Sequence, residues 1–268
     1  MPVAPIGIFD SGVGGLSVWR EVIKLMPACS TLYVSDNAFS PYGPKPVEEV
    51  IERTLKISRF LIDEGCRIIV VACNTATAAA IDTLRTTFDT PFVGMEPAVK
   101  PAALHSKTGV VGVLATKGTF GGRLYKETSL HFASNVRIIE QVGEGLVELI
   151  EQGLTDAPQT IALLHQYINP MMEAGADHLV LGCTHYPFLI PAIEQITHGQ
   201  MVIIDPAPAV ALQVFKVLDK GKIYDSQTDM RILYSFFATG QDTTLQRCYH
   251  SMAKLGVATE FFSYCQLS

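Results

Sequence analysis

The stretch IIVVACNTATAAAI, Ile68–Ile81, changes character at its middle. Ile68–Val71 are all β-branched, which favours an extended chain that is apolar on both faces, as in a strand covered above and below by helices. From Thr75 onward small residues and alanines favour a helix. Cys73 and Asn74 stand at the junction. In an open α/β sheet the carboxyl ends of the strands face the ligand crevice. A cysteine there can be a buried small hydrophobe, a metal ligand, a disulfide partner or a catalytic thiol, and this segment alone leaves all four open.

The same pattern returns in HLVLGCTHYPFLIPAI, His178–Ile193. An apolar run again ends in cysteine, a threonine follows, and a helix-like segment comes next. Cys73 and Cys183 are 110 residues apart. Upstream, GIFDSG (Gly7–Gly12) aligns with GVLATK (Gly112–Lys117) at an offset of 105. Two similar offsets predict two related units. Strands are expected at Ile6–Asp10, Leu32–Asp36, Ile68–Cys73, Phe92–Met95, Val110–Leu114, Val136–Ile139, Leu179–Cys183 and Val202–Asp205. Amphipathic segments lie between them: Trp19, Val22, Ile23 and Met26 share a helix face, and Pro46–Glu64 opens with proline and acids before an apolar stripe. This alternation is that of an α/β protein with mainly parallel sheets. Pro97 and Pro101 break the pattern near Met95–Val99, and DPAP marks a second crossing near Asp205–Pro208. The expected units are 1–96 with 208–268, and 97–207. The tail Ala209–Ser268 is too short for a domain and is expected to pack on the first unit.

Composition bounds the function. The chain of 268 residues is 48% hydrophobic and 17% charged, which places it among folded globular proteins. A net charge of −6 with no Lys/Arg cluster argues against a general nucleic-acid-binding role. MPVAPIGIFD carries no secretory signal, and no apolar run approaches the ~18 residues of a membrane span, so no membrane role is expected and the cytoplasm is the expected compartment. The cysteines are Cys29, Cys66, Cys73, Cys183, Cys248 and Cys265, with no CxxC among them; reduced thiols are expected rather than a disulfide framework.

Several strand ends carry chemistry. DSGVGG (Asp10–Gly15) offers a sharp turn and helix-start N–H groups suited to an anion, but it lacks the signatures of a P-loop or a dinucleotide fold. Its plain alternative is a tight turn capped by Asp10 or Ser11. In CNT, Asn74 and Thr75 can grip a carboxylate; Ala79 stands where a phosphatase-type loop would need arginine. In CTHYP, His185 is placed to orient or deprotonate Cys183. A zinc site from Cys73, Cys183, His185 and Asp10 would require a convergence that the spacing does not signal. Cys29, Cys66, Cys248 and Cys265 have no polar strand-end neighbours and read as filler. Tyr42 in SPYG either closes over a ligand or belongs to a plain loop.

IGIFDSGVGGLSV, SPYGPK, VACNTATAAA, VGMEPAVKPA and LGCTHYPFL follow one another between Ile6 and Leu189, and together they resemble the glutamate racemases of the aspartate/glutamate racemase superfamily. The tail from Ala209 matches only loosely. The resemblance implies two pseudo-symmetric flavodoxin-like domains facing each other across an active-site cleft. It implies a racemase that needs no cofactor or metal, takes glutamate as its small-molecule substrate and supplies D-glutamate for peptidoglycan; a homodimer is compatible with it. Cys73 and Cys183 would be the two acid/base groups, with Asp10 assisting Cys73 and His185 assisting Cys183. Asp10, Ser11, Tyr42, Gly43, Asn74, Thr75, Thr116, Thr184 and His185 would bind substrate. Glu151 matches an acidic position near the second thiol; its alternative is a surface carboxylate at a helix end. DNAFSPYG departs from the family, with Phe39 and Ser40 where polar or basic residues are common. No long N-terminal extension precedes Ile6, so activation by a cell-wall nucleotide precursor of the extended type is not expected.

The chemistry fits those residues. Enantiomers have equal free energy, so a racemase needs one acid/base group on each face of the α-carbon. A thiol titrates near ~8.5, close enough to neutrality to serve in either role. Helix-start N–H groups and the hydroxyls of Ser11, Thr75 and Thr184 would hold the carboxylate onto which charge spreads. Two other readings stand beside this one: a racemase for another amino acid such as aspartate, and a binding protein that captures a small anion without turnover. A zinc hydrolase comes third.

Overall fold

The computed structural model describes residues 4–132, 136–220, 232–240, 243, 246 and 258–262. All eight expected strands form, with ends shifted by at most three residues: β1 (Ile6–Asp10), β2 (Thr31–Ser35), β3 (Ile68–Val71), β4 (Phe92–Gly94), β5 (Val110–Ala115), β6 (Arg137–Val142), β7 (His178–Gly182) and β8 (Val202–Ile204). Two more come from the tail, β9 (Leu233–Ala238) and β10 (Ala258–Phe262), where the sequence signalled none. Every strand pairing described is parallel.

The strands make two sheets, ordered β10-β9-β2-β1-β3-β4 and β6-β5-β7-β8. Leaving the tail strands aside, both run second, first, third, fourth in chain order. The internal repeat seen in the sequence is therefore a repeat of topology: β1 corresponds to β5 and β3 to β7. Asp10 ends β1, Thr116 follows β5, Cys73 follows β3 with one residue between, and Cys183 directly follows β7. Register keeps these ends level, with Phe9 beside Val34 and Val71, and Ala115 beside Val142 and Gly182.

Helices cover the sheets. All residues of β1, β2 and β3 are buried, which explains why these runs lack the polar alternation of a half-exposed strand. On α1 (Leu16–Leu25) the apolar stripe Trp19, Val22 and Ile23 is buried, and Met26 continues it. Trp19 meets Tyr234 and Phe236 of β9 edge-on, with centroids 5.5 and 5.2 Å away, and its Nε1 donates to Thr31 Oγ1 at 2.9 Å. The aromatic positions of β9 thus anchor the tail to the first sheet. The helix α2 (Val47–Asp63) begins one residue after Pro46. Among the described residues, no helix is long and apolar enough to cross a membrane.

Asp177, just before β7, fastens the turn that leads into β5. Its carboxylate accepts from Ser106 Oγ at 2.7 Å, Lys107 N at 2.6 Å and Thr108 N at 3.1 Å, and lies 2.8 Å from the His178 ring. Partial burial resists ionisation, but the bonds from His178, Ser106 and the two backbone amides outweigh it and hold this carboxyl below the usual range. Asp177→Ala is expected to lower the unfolding free energy by about 1.5–3 kcal/mol at neutral pH. A depressed carboxyl stabilises the fold above its unfolded pKa of ~3.9, and that stability is lost as pH falls through the folded value. The gap between wild type and variant in urea unfolding should therefore narrow below about pH 4.

Candidate active site

The two repeated strand ends converge. Cys73 and Cys183 line one small cavity, together with Ser11, Tyr42, Gly43, Asn74, Thr75, Thr116, Thr184 and His185. Pro41 and Val147 complete the wall; neither carried a sequence signal, since an apolar lining residue looks like any other.

Cys73 caps α3 (Asn74–Thr87). Its backbone is extended and its Sγ accepts from Ala76 N at 3.4 Å, the arrangement by which a side chain satisfies an unpaired N–H of the first turn. The same sulfur lies 3.9 Å from Ser11 Oγ. Burial, reinforced by the Asp10 carboxylate, pushes the Cys73 thiol well up; the Ala76 N–H and Ser11 counter this, while Cys183 is near enough to add to it. Neither Asn74 Oδ1 nor Asn74 Nδ2 has a hydrogen-bond partner, although the residue is only 3% exposed. A buried amide left open in a cavity wall is a free donor–acceptor pair for a ligand. Thr75 Oγ1 and Thr116 Oγ1, one from each sheet's chain segment, meet at 2.8 Å.

Cys183 has a different neighbour. His185 Nδ1 lies 3.8 Å from its Sγ, and His185 Nε2 lies 2.6 Å from Glu151 Oε1. That oxygen also accepts from Val13 N at 2.8 Å, so Glu151, at the end of the helix Leu146–Glu151, joins the glycine turn of the first sheet to the histidine of the second. Glu151 is thus part of the cluster and not an isolated surface carboxylate. Burial alone would push His185 down, but its contacts with Cys183 and Glu151 and the charges of Asp10 and Glu151 raise it well above the ordinary histidine value. One thiol faces a hydroxyl and a helix start; the other faces an imidazolium held by a carboxylate.

Asp10 does not line the cavity. It is fully buried one layer behind, and its carboxylate accepts from Gly15 N at 2.9 Å, Gly12 N at 3.3 Å and Thr184 Oγ1 at 3.2 Å. These bonds are those of the turn-capping alternative. No hydrogen bond joins it to Cys73; its charge acts through the buried space between them. Burial raises the Asp10 pKa, with His185 and the two backbone amides opposing. Tyr42 lines the cavity, and its hydroxyl donates to Asp36 Oδ2 at 2.5 Å.

Gly12 and Gly14 permit the close approach of the two halves. A Cβ on Gly12 would lie 1.8 Å from Glu151 Oε1, and one on Gly14 would lie 2.3 Å from His185 Nδ1. Among the described residues, no group of three or more His, Cys, Asp or Glu has the arrangement to hold a metal ion. Cys29 and Cys66 are buried core residues; Cys248 and Cys265 lie outside the described residues.

A paired-thiol cavity between two related parallel sheets defines a class, and comparison with known families agrees: the family model Asp/Glu/Hydantoin racemase matches residues 7–214. The chain belongs to that family. It is 48% identical over 217 residues to the glutamate racemase of Roseiflexus sp. (strain RS-1), covering 81% of this chain and 80% of the relative. It is 49% identical over 216 residues to the glutamate racemase of Pseudomonas aeruginosa, covering 80% and 82%. Among solved structures, the Escherichia coli glutamate racemase in complex with L-glutamate and activator UDP-MurNAc-Ala superposes with a TM-score of 0.83 at 30% identity, over 98% of this chain and all of the other.

Proposed function

We propose that this chain interconverts L- and D-glutamate by moving one proton off the α-carbon and another onto it, without a cofactor. The observation that carries this reading is the pair of thiols, from equivalent positions of two repeated sheets, in the wall of one small cavity. A site that only held a carboxylate would need the amide and hydroxyls but no sulfur.

In the forward direction one cysteine, as thiolate, takes the α-proton and becomes a thiol; the other, as thiol, gives its proton to the opposite face and becomes a thiolate. No electrons change hands, and the reverse reaction restores the start. Asn74, with its free amide, and the hydroxyls of Ser11, Thr75, Thr116 and Thr184 are the groups offered to the substrate's charged ends. His185, kept protonated by Glu151 and Asp10, stands where it stabilises negative charge on Cys183. Asp10 holds the turn that places Ser11. In this reading residues 1–96 with 208–268 and residues 97–207 form the two domains, and closure between them excludes water from the cavity. The names of the relatives favour glutamate over aspartate, and the D-glutamate formed supplies peptidoglycan synthesis in the cytoplasm.

The test uses purified protein and L-glutamate in deuterated water with no added cofactor. The expected result is decay of optical rotation to zero together with deuterium at the α-carbon. Binding of glutamate with no exchange, from folded protein, would replace this reading with the binding-protein one; faster turnover of aspartate would change the substrate.

A further inference from the structure

The segment DNAFSPYG is held by a buried knot that the two-thiol scheme leaves unused. Asp36, at the end of β2, is 0% exposed. Its Oδ1 accepts from Arg53 Nη2 at 2.6 Å and Thr239 Oγ1 at 2.8 Å; its Oδ2 accepts from Arg53 Nε at 3.0 Å and Tyr42 Oη at 2.5 Å. An ionised carboxylate has about four acceptor positions, and all are filled. Arg53, from the middle of α2, supplies two of the four bonds through a fork that lysine cannot copy. The ring of Phe39 covers that guanidinium at 3.8 Å from ring centroid to Cζ. The Arg53 side chain is left 11% exposed.

Tyr42 is the member of this knot that faces the cavity, and Gly43 follows it with its α-carbon against Thr116 of the other sheet's segment. We infer that Arg53 is a positioning residue: acting through Asp36, it fixes the Tyr42–Gly43 wall against which the substrate is held, and Phe39 shields the ion pair that does this. The inference rests on the proposed racemase activity. The tyrosine hydroxyl proton is committed to Asp36, so Tyr42 contributes shape and not a donor. Loss of the Arg53 fork leaves Asp36 short of two donors and frees the Tyr42 ring to move. The defect then falls on substrate capture, while the thiols, placed by β3 and β7, stay where they were.

The experiment compares wild type, Arg53→Met, Arg53→Lys and Phe39→Ala. Wild-type activity is measured first; its absence defeats the racemase reading and leaves the positioning inference to amide hydrogen exchange, which needs no turnover. Arg53→Met is expected to raise KM about tenfold with kcat changed less than about threefold, the pattern of lost uniform binding. Amide exchange should quicken in residues 37–43 and not in β1 or β3. Added methylguanidinium should lower KM again, and Arg53→Lys should recover only part. Phe39→Ala, the milder change if Arg53→Met does not fold, should make KM rise with salt where the wild type is flat, because the uncovered pair is screened. A KM within twofold of wild type in Arg53→Met and a salt-independent Phe39→Ala would overturn the inference. So would a fall in kcat at unchanged KM, or unchanged exchange at 37–43.

Discussion

Cys73→Ala and Cys183→Ala are each expected to lower racemisation by at least about a thousandfold in both directions, since a positioned acid or base contributes ~10²–10⁴ and both are needed in every turnover. Among the described residues, the other titratable side chains in the cavity wall are Tyr42, whose hydroxyl donates to Asp36, and His185, which already serves Cys183. The double variant should be scarcely worse than either single one, because groups that act as a unit do not add. Folding should survive: alanine removes one small buried sulfur, and the Ala76 N–H that Cys73 caps is one bond among many. Initial rates by circular dichroism, with far-ultraviolet spectra as the folding control, decide it. Near-normal activity in either single variant would refute the two-thiol scheme. Serine at either position should leave a weak enzyme, a hydroxyl being a far poorer base than a thiol.

Gly14→Ala is expected to cost about a hundredfold in kcat while touching no substrate. The added methyl would lie 2.3 Å from His185 Nδ1 and 2.7 Å from two ring carbons. Glu151 holds the ring's far nitrogen at 2.6 Å and Asp10 lies 4.0 Å from the near one, so the ring yields only by giving up this placement. Gly14 does not have a positive φ, so the backbone accepts alanine, and the three atoms nearest the added methyl all belong to the histidine. The imidazole must turn away from Cys183, and misplacement by about 1 Å at such a site costs on the order of 10². Gly121→Ala is the control. A Cβ there meets nothing within 4 Å, and activity should be unchanged. Full activity in Gly14→Ala would mean that His185 does not act on Cys183.

Much of this was legible before any coordinates. The strands stood out because β-branched runs buried on both faces have no polar residues to disguise them, and the two cysteine motifs revealed a repeat that the sheets then reproduced as the order β2-β1-β3-β4 against β6-β5-β7-β8. What stayed hidden depends on distant contacts. Glu151 matched a family acidic position near the second thiol, but its residues alone left a helix-end carboxylate open, because its partners, Val13 and His185, are 138 and 34 positions away. Asp10 offered two readings, and its oxygens accept from the backbone amides of its own turn and from Thr184, 174 positions away. Tyr42 was visible as a cavity residue, but its bond to Asp36, 6 positions away, was not. The strand β9 was missed because Tyr234 and Phe236 acquire meaning only against Trp19.

The central claim is that two thiols work on opposite faces of one carbon. The most direct measurement follows isotope in early turnover, with L-glutamate carrying hydrogen at the α-carbon and the protein in deuterated water. Two facing bases predict that the first D-glutamate formed is fully deuterated while recovered L-glutamate is still almost entirely protonated. A single base serving both faces would return the original hydrogen to a substantial part of the D-glutamate, and that result would contradict the account.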